Sequence, residues 1–442
     1  MRLTLSKRQI RILILLLQIP LIAIIISLLS SCTDTCENTN IYVLYEPIYG
    51  SVDSIRNGVE TQVARDIEKM GKLYYLNGYL FVNEPGIGVH IIDNRDPANP
   101  LNVSFIQIPG NRDIAGMGNI LYADSYMDLV VLDISDFNNV KEINRLENFY
   151  PNYSSYGYYV DSSKGVVVDW EQTETVELQE VDCEGNRVIF GDWFRWGRGI
   201  AVTMEFAAGS LDNSGGGGNV GIGGSMARFT LAKNHMYAVD SYQLYTLDLA
   251  NPVNPTLTNS QGIGWMIETI FPRGDNLFIG SMSSMIIYDI SIPSTPSYVS
   301  NFSHIVSCDP VVVEGNYAYV TLRNGEGTIC QNFTNQLDVV DISDLSNPTL
   351  VTSYPMYNPH GLGIDNGTLF ICDGAEGLKI YDASDVNNIT SNLLAHYKNI
   401  KAFDVIPLNG VLMMIAEDGL YQYDYSDLNN ITELSKISFV IN

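Results

Sequence analysis

Residues 79–100 read YLFVNEPGIGVHIIDNRDPANP, and this stretch decides the fold because its plan returns six more times along the chain. An apolar strand is followed by a short turn of small or polar residues, a second apolar strand that ends in Asp, and a polar turn that usually carries Pro. The other copies begin at Ile120, His235, Asn276, Tyr317, Thr368 and Val411. A unit repeated at a regular interval is the sequence signature of a repeat architecture.

The Asp residue that ends each second strand sets the period of the repeat. These residues are Asp93, Asp133, Asp248, Asp289, Asp341, Asp382 and Asp424. Their spacings of 40, 115, 41, 52, 41 and 42 residues centre on about 41, the length of one four-stranded propeller blade. We therefore predict an all-β protein, a β-propeller with seven four-stranded blades over residues 66–442.

Two long spacings indicate insertions. The spacing of 52 predicts about eleven extra residues, roughly Arg323 to Asn335, between two strands of the fifth blade. The spacing of 115 is explained by an insertion over residues 141–225 after blade two. An eighth blade near KGVVVDWEQTETVELQEV (164–181) is the alternative, because this stretch alternates like a β-hairpin but lacks the terminal Asp and the Pro turn.

The recurring Asp invites interpretation as a catalytic or calcium-binding group. A short polar side chain at the end of a strand also accepts hydrogen bonds from the backbone of the next turn. A catalytic group would be expected in one copy, whereas every blade must make this turn. We therefore predict a structural role for all seven.

The segments YDIS, VVDISDLSNP and IIDNRDPANP resemble the repeat of the LVIVD-repeat β-propeller family, most closely its lipoproteins from Bacteroidetes-type bacteria. The resemblance spans about residues 66–442. It implies the propeller fold and a location in the cell envelope. It implies no reaction, since members of the family are mostly without an assigned activity.

Composition narrows the class of partner. The chain has 24 basic and 50 acidic residues, a net charge of −26, so we expect no nucleic-acid partner. Its 10% aromatic content is not that of a disordered chain. The first 31 residues hold four basic residues and no acidic ones, which leaves a net charge of −30 on the rest.

The N-terminus has the parts of a secretory signal. A basic segment precedes the apolar run from Ile12 to Leu29, and Leu29-Ser30-Ser31-Cys32 resembles the bacterial lipobox, in which the Cys is acylated. A transmembrane anchor is the alternative, because 18 apolar residues nearly span a bilayer. We expect residues 1–31 to be a lipoprotein signal peptide, 32–65 a tether and lead-in segment, and Cys32 the lipidation site at the outer membrane.

Five further cysteines remain, so at least one thiol is expected to be free in an oxidising compartment. Cys308 and Cys330 fall in connecting segments at the two ends of one repeat and are the candidate disulfide. Cys372, in the strand LFIC, is expected to be a buried apolar residue. The sequence predicts no metal site, because no CxxC or His-x-x-x-His spacing appears near these cysteines.

A candidate ligand site lies where the innermost strand of each blade begins. These positions carry Lys72, Asp113, Arg228, Glu268, Asp309, His360 and Asp404. Packing does not require a charged residue there in every blade, so we hypothesise that this ring binds a polar ligand or a cation, together with His304 and the blade-five insertion. Mutual ion pairing around a water-filled channel is the alternative.

The insertion offers a second candidate surface. GDWFRWGRG (Gly191–Gly199) places Trp193, Phe194 and Trp196 close together, either as an exposed platform for a sugar or protein or as packing that anchors the insertion. The Gly-rich run from Ser214 to Ser225 lacks the Lys-Ser/Thr ending and the helix of a phosphate-binding loop. We interpret it as a flexible loop.

No catalytic set is apparent in the sequence. His304 and His360 lie on predicted channel loops and could act with Asp309, but no nucleophile motif accompanies them. We predict a monomeric, lipid-anchored envelope propeller that recognises a protein or carbohydrate without catalysis. No cofactor is expected, apart from a structural cation considered for the channel. The alternative function is an envelope glycan hydrolase or lyase that uses the channel acids and His360.

Overall fold

The computed structural model describes residues 35–38, 42–155, 157–175, 179–182, 220–225, 227–304, 310–324 and 334–440. They divide into two compact units. The larger contains the described residues of 49–168 and 201–442, and the smaller those of 1–48 and 169–200.

The strands outside the blades lie before blade 1 and in the insertion. They are β1 (Thr35–Asn38), β2 (Tyr42–Gly50), β3 (Glu60–Val63), β12 (Ser154–Ser155), β13 (Tyr158–Tyr159), β14 (Val166–Thr175), β15 (Gln179–Asp182) and β16 (Ile222–Gly223). The short helix α1 (Val52–Arg56) is capped by the Ser51 hydroxyl, which accepts a hydrogen bond from the Ser54 N–H.

Seven sheets of the larger unit each contain four strands that follow one another in the chain and pair antiparallel, and the sheet of blade 1 also includes β16 beside β4 and β3 beside β7. Blades 1 to 3 are β4–β7 (Leu73–Leu76, Tyr79–Glu84, Gly88–Asp93, Leu101–Gln107), β8–β11 (Ile114–Met117, Ile120–Ser125, Asp128–Asp133, Lys141–Leu146) and β17–β20 (Phe229–Ala232, His235–Val239, Gln243–Asp248, Thr256–Gly262). Blades 4 and 5 are β21–β24 (Ile267–Arg273, Asn276–Ser281, Ser284–Asp289, Ser297–Ser303) and β25–β28 (Val311–Glu314, Tyr317–Leu322, Gln336–Asp341, Thr349–Pro355). Blades 6 and 7 are β29–β32 (Leu362–Asp365, Thr368–Cys372, Leu378–Asp382, Leu393–Tyr397, after a 3-10 turn at Ile389–Ser391) and β33–β36 (Ala402–Leu408, Val411–Ala416, Gly419–Asp424, Thr432–Ser438).

The first strand of each blade is the innermost, and these seven strands form a closed ring. Each contacts the inner strand of the next blade, and β33 of blade 7 contacts β4 of blade 1. The apolar core lies between neighbouring blades, where alternate faces of two sheets bury Val, Ile, Leu and Tyr side chains. The seven-bladed propeller predicted from the repeat is confirmed.

The recurring Asp makes the same turn in every blade. One carboxylate oxygen accepts a hydrogen bond from the backbone N–H two residues later, at 2.5–3.2 Å in all seven copies. This is the Asx-turn expected from the sequence. The repeated acids therefore fix the connection between the third and fourth strands, and their structural role is confirmed.

The two insertions begin and end close to the predicted positions. In blade 5 the second strand ends at Leu322 and the third begins at Gln336, as the long spacing predicts. After blade 2, however, Lys141–Leu146 form the fourth strand of that blade. The blade therefore extends into the range assigned to the insertion, because the polar sequence KEINRL belongs to a partly exposed outer strand.

The alternating stretch 164–181 does form two strands, but they do not pair with each other as a hairpin. Strand β14 pairs with β2, and β15 pairs antiparallel with β1, with Thr35 opposite Asp182. These N-terminal partners are distant in sequence, so the period-2 pattern identified the strands and could not identify their pairing. Within the described residues, this stretch adds no eighth blade.

Residues 220–225, here called the channel segment, lie on the inner side of the ring. The strand β16 within this segment pairs with the inner edge of β4. The Gly221 N–H donates to the Gly116 carbonyl of blade 2 at 2.9 Å, and the Leu362 N–H of blade 6 donates to Ser225 Oγ at 3.1 Å. The Gly224 N–H donates to the Leu73 carbonyl at 3.2 Å, so the segment runs along β4 on the inner side of the ring and ends beside blade 6.

Candidate functional site

The predicted ring residues lie where the inner strands begin. Lys72, Asp113 and Arg228 each directly precede an inner strand, His360 lies two residues before β29, and Glu268 and Asp404 lie within the first three residues of theirs. Asp309 is outside the described residues. The sequence therefore located one end of the channel correctly in six blades.

Burial distinguishes this ring from an open channel mouth. Lys72, Asp113, His360 and Asp404 are exposed by only 8%, 3%, 1% and 2%, whereas Arg228 and Glu268 are half-buried. Gly223 and Gly224 of the channel segment line the same small cavity as Lys72 and Asp113. A large ligand cannot contact four of the six described ring residues in this conformation.

Lys72 and Asp113 form a buried ion pair with 2.5 Å between Nζ and Oδ2. The Arg228 N–H donates to the same oxygen at 2.5 Å, and the Ile114 N–H donates to Oδ1 at 2.8 Å. Burial lowers the pKa of Lys72, although Asp113 opposes this shift. The arrangement joins the starts of the inner strands of blades 1, 2 and 3.

Asp124 supports this pair from the second strand of blade 2. Its Oδ1 accepts the backbone N–H groups of Arg112 at 2.7 Å and Asp113 at 2.9 Å. Burial raises the pKa of Asp124 to about 6, although these two hydrogen bonds oppose the shift. Asp113 and Asp124 therefore accept hydrogen bonds from the protein's own backbone, and Asp113 also forms the ion pair with Lys72.

His360 and Asp404 begin the inner strands of blades 6 and 7. Both ring nitrogens of His360 and the Oδ2 atom of Asp404 lack a hydrogen-bond partner among the described residues. Burial lowers the pKa of His360 and raises that of Asp404 well above its usual value. Burial therefore disfavours the charged form of both groups. The Phe403 ring packs edge-on against His360 with 4.9 Å between the ring centroids.

Of the remaining predicted residues, the structure describes His304 and Cys372. His304 is half-buried at the end of blade 4, and Cys372 is a fully buried free cysteine whose pKa burial raises. Cys32, Cys308, Cys330, Trp193, Phe194 and Trp196 lie outside the described residues. In the described part of the chain, no three His, Cys, Asp or Glu side chains are placed to hold a metal ion.

Sequence reasoning missed an exposed aromatic pair on the loop face, the face where the inner strands begin. Tyr242 lies on the turn between the second and third strands of blade 3, and Trp265 lies on the connection from blade 3 to blade 4. Their exposed fractions are 51% and 67%. The available signal was a Trp flanked by Gly in a connecting segment, QGIGWM, where no blade core requires it.

Comparison of the sequence with protein families finds the LVIVD repeat at residues 111–146, 270–304, 307–330 and 331–355. This chain carries LVIVD repeats. The first match covers blade 2, the second most of blade 4, and the last two fall on blade 5 and the segment before it. None of the curated proteins compared with the sequence matches it.

Solved structures that resemble the LVIVD-repeat chain do so at low identity. The computationally designed Ika8 protein is 9% identical, with a TM-score of 0.49 over 86% of this chain and 92% of that one. BamB from Moraxella catarrhalis is 7% identical, with a TM-score of 0.45 over 78% of each chain. Hsv2 from Kluyveromyces lactis is 10% identical, with a TM-score of 0.46 over 84% of this chain and all of that one.

Among the described residues of the LVIVD-repeat chain, no helix has both the length and the apolar character needed to cross a bilayer. The apolar run from Ile12 to Leu29 is outside those residues.

Proposed function

We propose that the LVIVD-repeat chain is a lipid-anchored recognition module of the cell envelope, which binds a protein or carbohydrate through the loop face of its propeller and catalyses no reaction. The observation that carries this proposal is the channel segment. Because residues 220–225 pair with the inner edge of β4 and bond to the inner strands of blades 2 and 6, the chain's own backbone occupies part of the channel that a ligand would otherwise enter.

The burial of the ionisable groups supports recognition over catalysis. A general acid or base must come within hydrogen-bonding distance of its substrate. His360, the acid–base group of the alternative hydrolase or lyase, is 1% exposed beneath the loops. The exposed aromatic side chains of the same face, by contrast, are accessible to a partner and are of the types that dominate binding energy at interfaces.

The lipid anchor rests on the sequence. Leu29-Ser30-Ser31-Cys32 follows the apolar run and precedes a polar segment, as in a lipobox. Metabolic labelling of cells with a palmitate analogue tests it. We expect label on the wild-type chain and none on Cys32→Ser, whereas equal labelling of both would overturn the anchor.

Recognition through the loop face is tested by site-specific photocrosslinking in intact envelopes. A photoreactive residue at Ser283, exposed on the turn between the second and third strands of blade 4, is expected to give discrete adducts. The matched control is the same residue at Asn119, exposed on the opposite face between the first two strands of blade 2. Equal adducts at both positions, or none at either, would contradict the proposal.

A further inference from the structure

Tyr242 and Trp265 lie on two loops that two backbone hydrogen bonds join. The Ile263 N–H donates to the Tyr242 carbonyl at 3.0 Å, and the Ile267 N–H donates to the Ser241 carbonyl at 3.0 Å. Trp265 is midway between these two bonded residues. The two exposed side chains therefore lie on adjacent, mutually bonded turns.

The turn that carries Tyr242 is fixed by a single acid. Asp240 Oδ1 accepts the N–H groups of Tyr242 and Gln243, each at 2.7 Å. Asp240 Oδ2 accepts the Tyr245 hydroxyl at 2.9 Å. The backbone of the turn is thus ordered before any partner arrives, which reduces the entropic cost of binding.

The residue after Trp265 has an unusual backbone conformation. The next residue, Met266, has φ +54°, in the left-handed region that side chains other than Gly and Asn rarely adopt. The Met282 N–H donates to the Met266 carbonyl at 3.1 Å and holds this conformation. The strained turn leaves a large aromatic side chain 67% exposed, so packing within the chain does not explain it.

We propose that Tyr242 and Trp265 form a stacking platform for an uncharged saccharide. This inference rests on the proposed recognition function and names its ligand class. Aromatic faces carry partial negative charge and attract the C–H groups on the flat side of a pyranose ring. A saccharide can bind through one or two exposed aromatic side chains, whereas a protein interface takes about 800 Å² and 20–30 residues from each partner.

Charge favours a neutral ligand over an anionic one. The net charge of −26 repels acidic polymers over the whole surface. The acid nearest to the platform in sequence, Asp240, already accepts three hydrogen bonds from the protein and is committed to the turn. The hydroxyl groups of a sugar would face water at the edge of the platform.

The test is isothermal titration of the purified full chain in detergent with cellohexaose, maltohexaose and laminarihexaose. We expect at least one to bind, and Trp265→Ala and Tyr242→Ala each to weaken that binding by about tenfold or more, the loss typical of an interface hot spot. The matched control is Tyr298→Ala, because Tyr298 is 57% exposed on the outer strand of blade 4. It should leave binding unchanged, and the unfolding midpoints of all three variants should equal that of the wild type.

Three results would overturn the platform. They are no binding of any of these saccharides, an equal loss in Tyr298→Ala, and binding of oligogalacturonate or oligolysine in their place. Oligolysine binding would indicate a basic protein partner. If photocrosslinking at Ser283 succeeds while saccharide binding fails, the recognition function stands and only its ligand class is wrong.

Discussion

Asn94 of blade 1 and Gln422 of blade 7 exchange two side-chain hydrogen bonds across the seam where the ring closes. Asn94 Nδ2 donates to Gln422 Oε1 at 2.9 Å, and Gln422 Nε2 donates to Asn94 Oδ1 at 2.6 Å. Both residues are buried, and an apolar cluster from the two blades surrounds the inner strands nearby. No strand is shared between these blades, and the ring is closed by these side chains together with a backbone hydrogen bond of 2.9 Å from the Val440 N–H to the Ile67 carbonyl.

Replacing one member of this pair should destabilise the propeller. Gln422→Leu leaves the buried amide of Asn94 without its partner, and we expect a loss of about 1–3 kcal/mol in the free energy of unfolding. Urea denaturation measures the loss. The double variant Asn94→Leu/Gln422→Leu removes both polar groups and should lose less than the single variant. A double variant that loses the sum of both single effects would show that the pair makes no specific contribution.

The buried ion pair of Lys72 and Asp113 predicts a larger effect. Asp113→Ala leaves the Lys72 ammonium buried without its counter-charge and also removes the acceptor of two backbone N–H groups. We expect a loss of about 3–5 kcal/mol in the free energy of unfolding. Asp427→Ala, an exposed acid on a turn of blade 7, is the comparison in the same denaturation assay. Equal losses in both variants would contradict the role of the pair.

The repeated Asx-turns predict a dependence of stability on pH. Hydrogen bonds from the side chain and backbone of the Ser two residues later lower the pKa values of Asp289, Asp341 and Asp382. A carboxylate whose pKa is lowered by folding stabilises the native state above its unfolded pKa of about 3.9, and this contribution is lost as the pH falls through the folded pKa. Stability should therefore decrease on acidification below about pH 4.

The triple variant Asp289→Asn/Asp341→Asn/Asp382→Asn keeps an acceptor in each turn but cannot titrate. Its urea midpoint should change less between pH 5 and pH 3 than that of the wild type. An identical change in both proteins would mean that these turns do not contribute to the acid sensitivity.

Gly221 predicts how the channel segment can be displaced. A Cβ atom at this position would approach the Tyr74 ring closely, whereas at Gly262 nothing lies within 4 Å of the same atom. Gly221→Ala should therefore loosen the channel segment and increase amide hydrogen exchange at positions 221 and 224, whereas Gly262→Ala should leave the exchange at both positions unchanged. If both variants exchange like the wild type, residues 220–225 do not depend on the close contact with Tyr74.

The sequence predicted contacts between neighbouring residues but not pairings between residues that are distant in the chain. The turns at the seven Asp residues follow from each residue and its neighbour two positions later, so the number of blades could be read from the repeat. The pairing of Ile222 with Tyr75 joins positions 147 residues apart, and the Gly-rich segment has no periodicity that predicts it. The repeat predicted the position of Lys72. Its burial involves the channel segment, whose pairing with β4 the sequence did not predict.

The aromatic candidates show the same limit. The run containing Trp193 and Trp196 was conspicuous because the aromatic residues are clustered in sequence. Trp265 stands alone between Gly264 and Met266, and its loop lies beside that of Tyr242 only because backbone hydrogen bonds join the two loops in the folded chain. Clustering in sequence and clustering on a surface are different properties, and only the second concerns a ligand.

The four strands of each blade follow one another in the chain, and this has a consequence for the gene. A tandem duplication of about 41 codons would encode one whole additional sheet, with no strand left for another blade to complete. A single duplication or deletion of this length would therefore add or remove one whole blade.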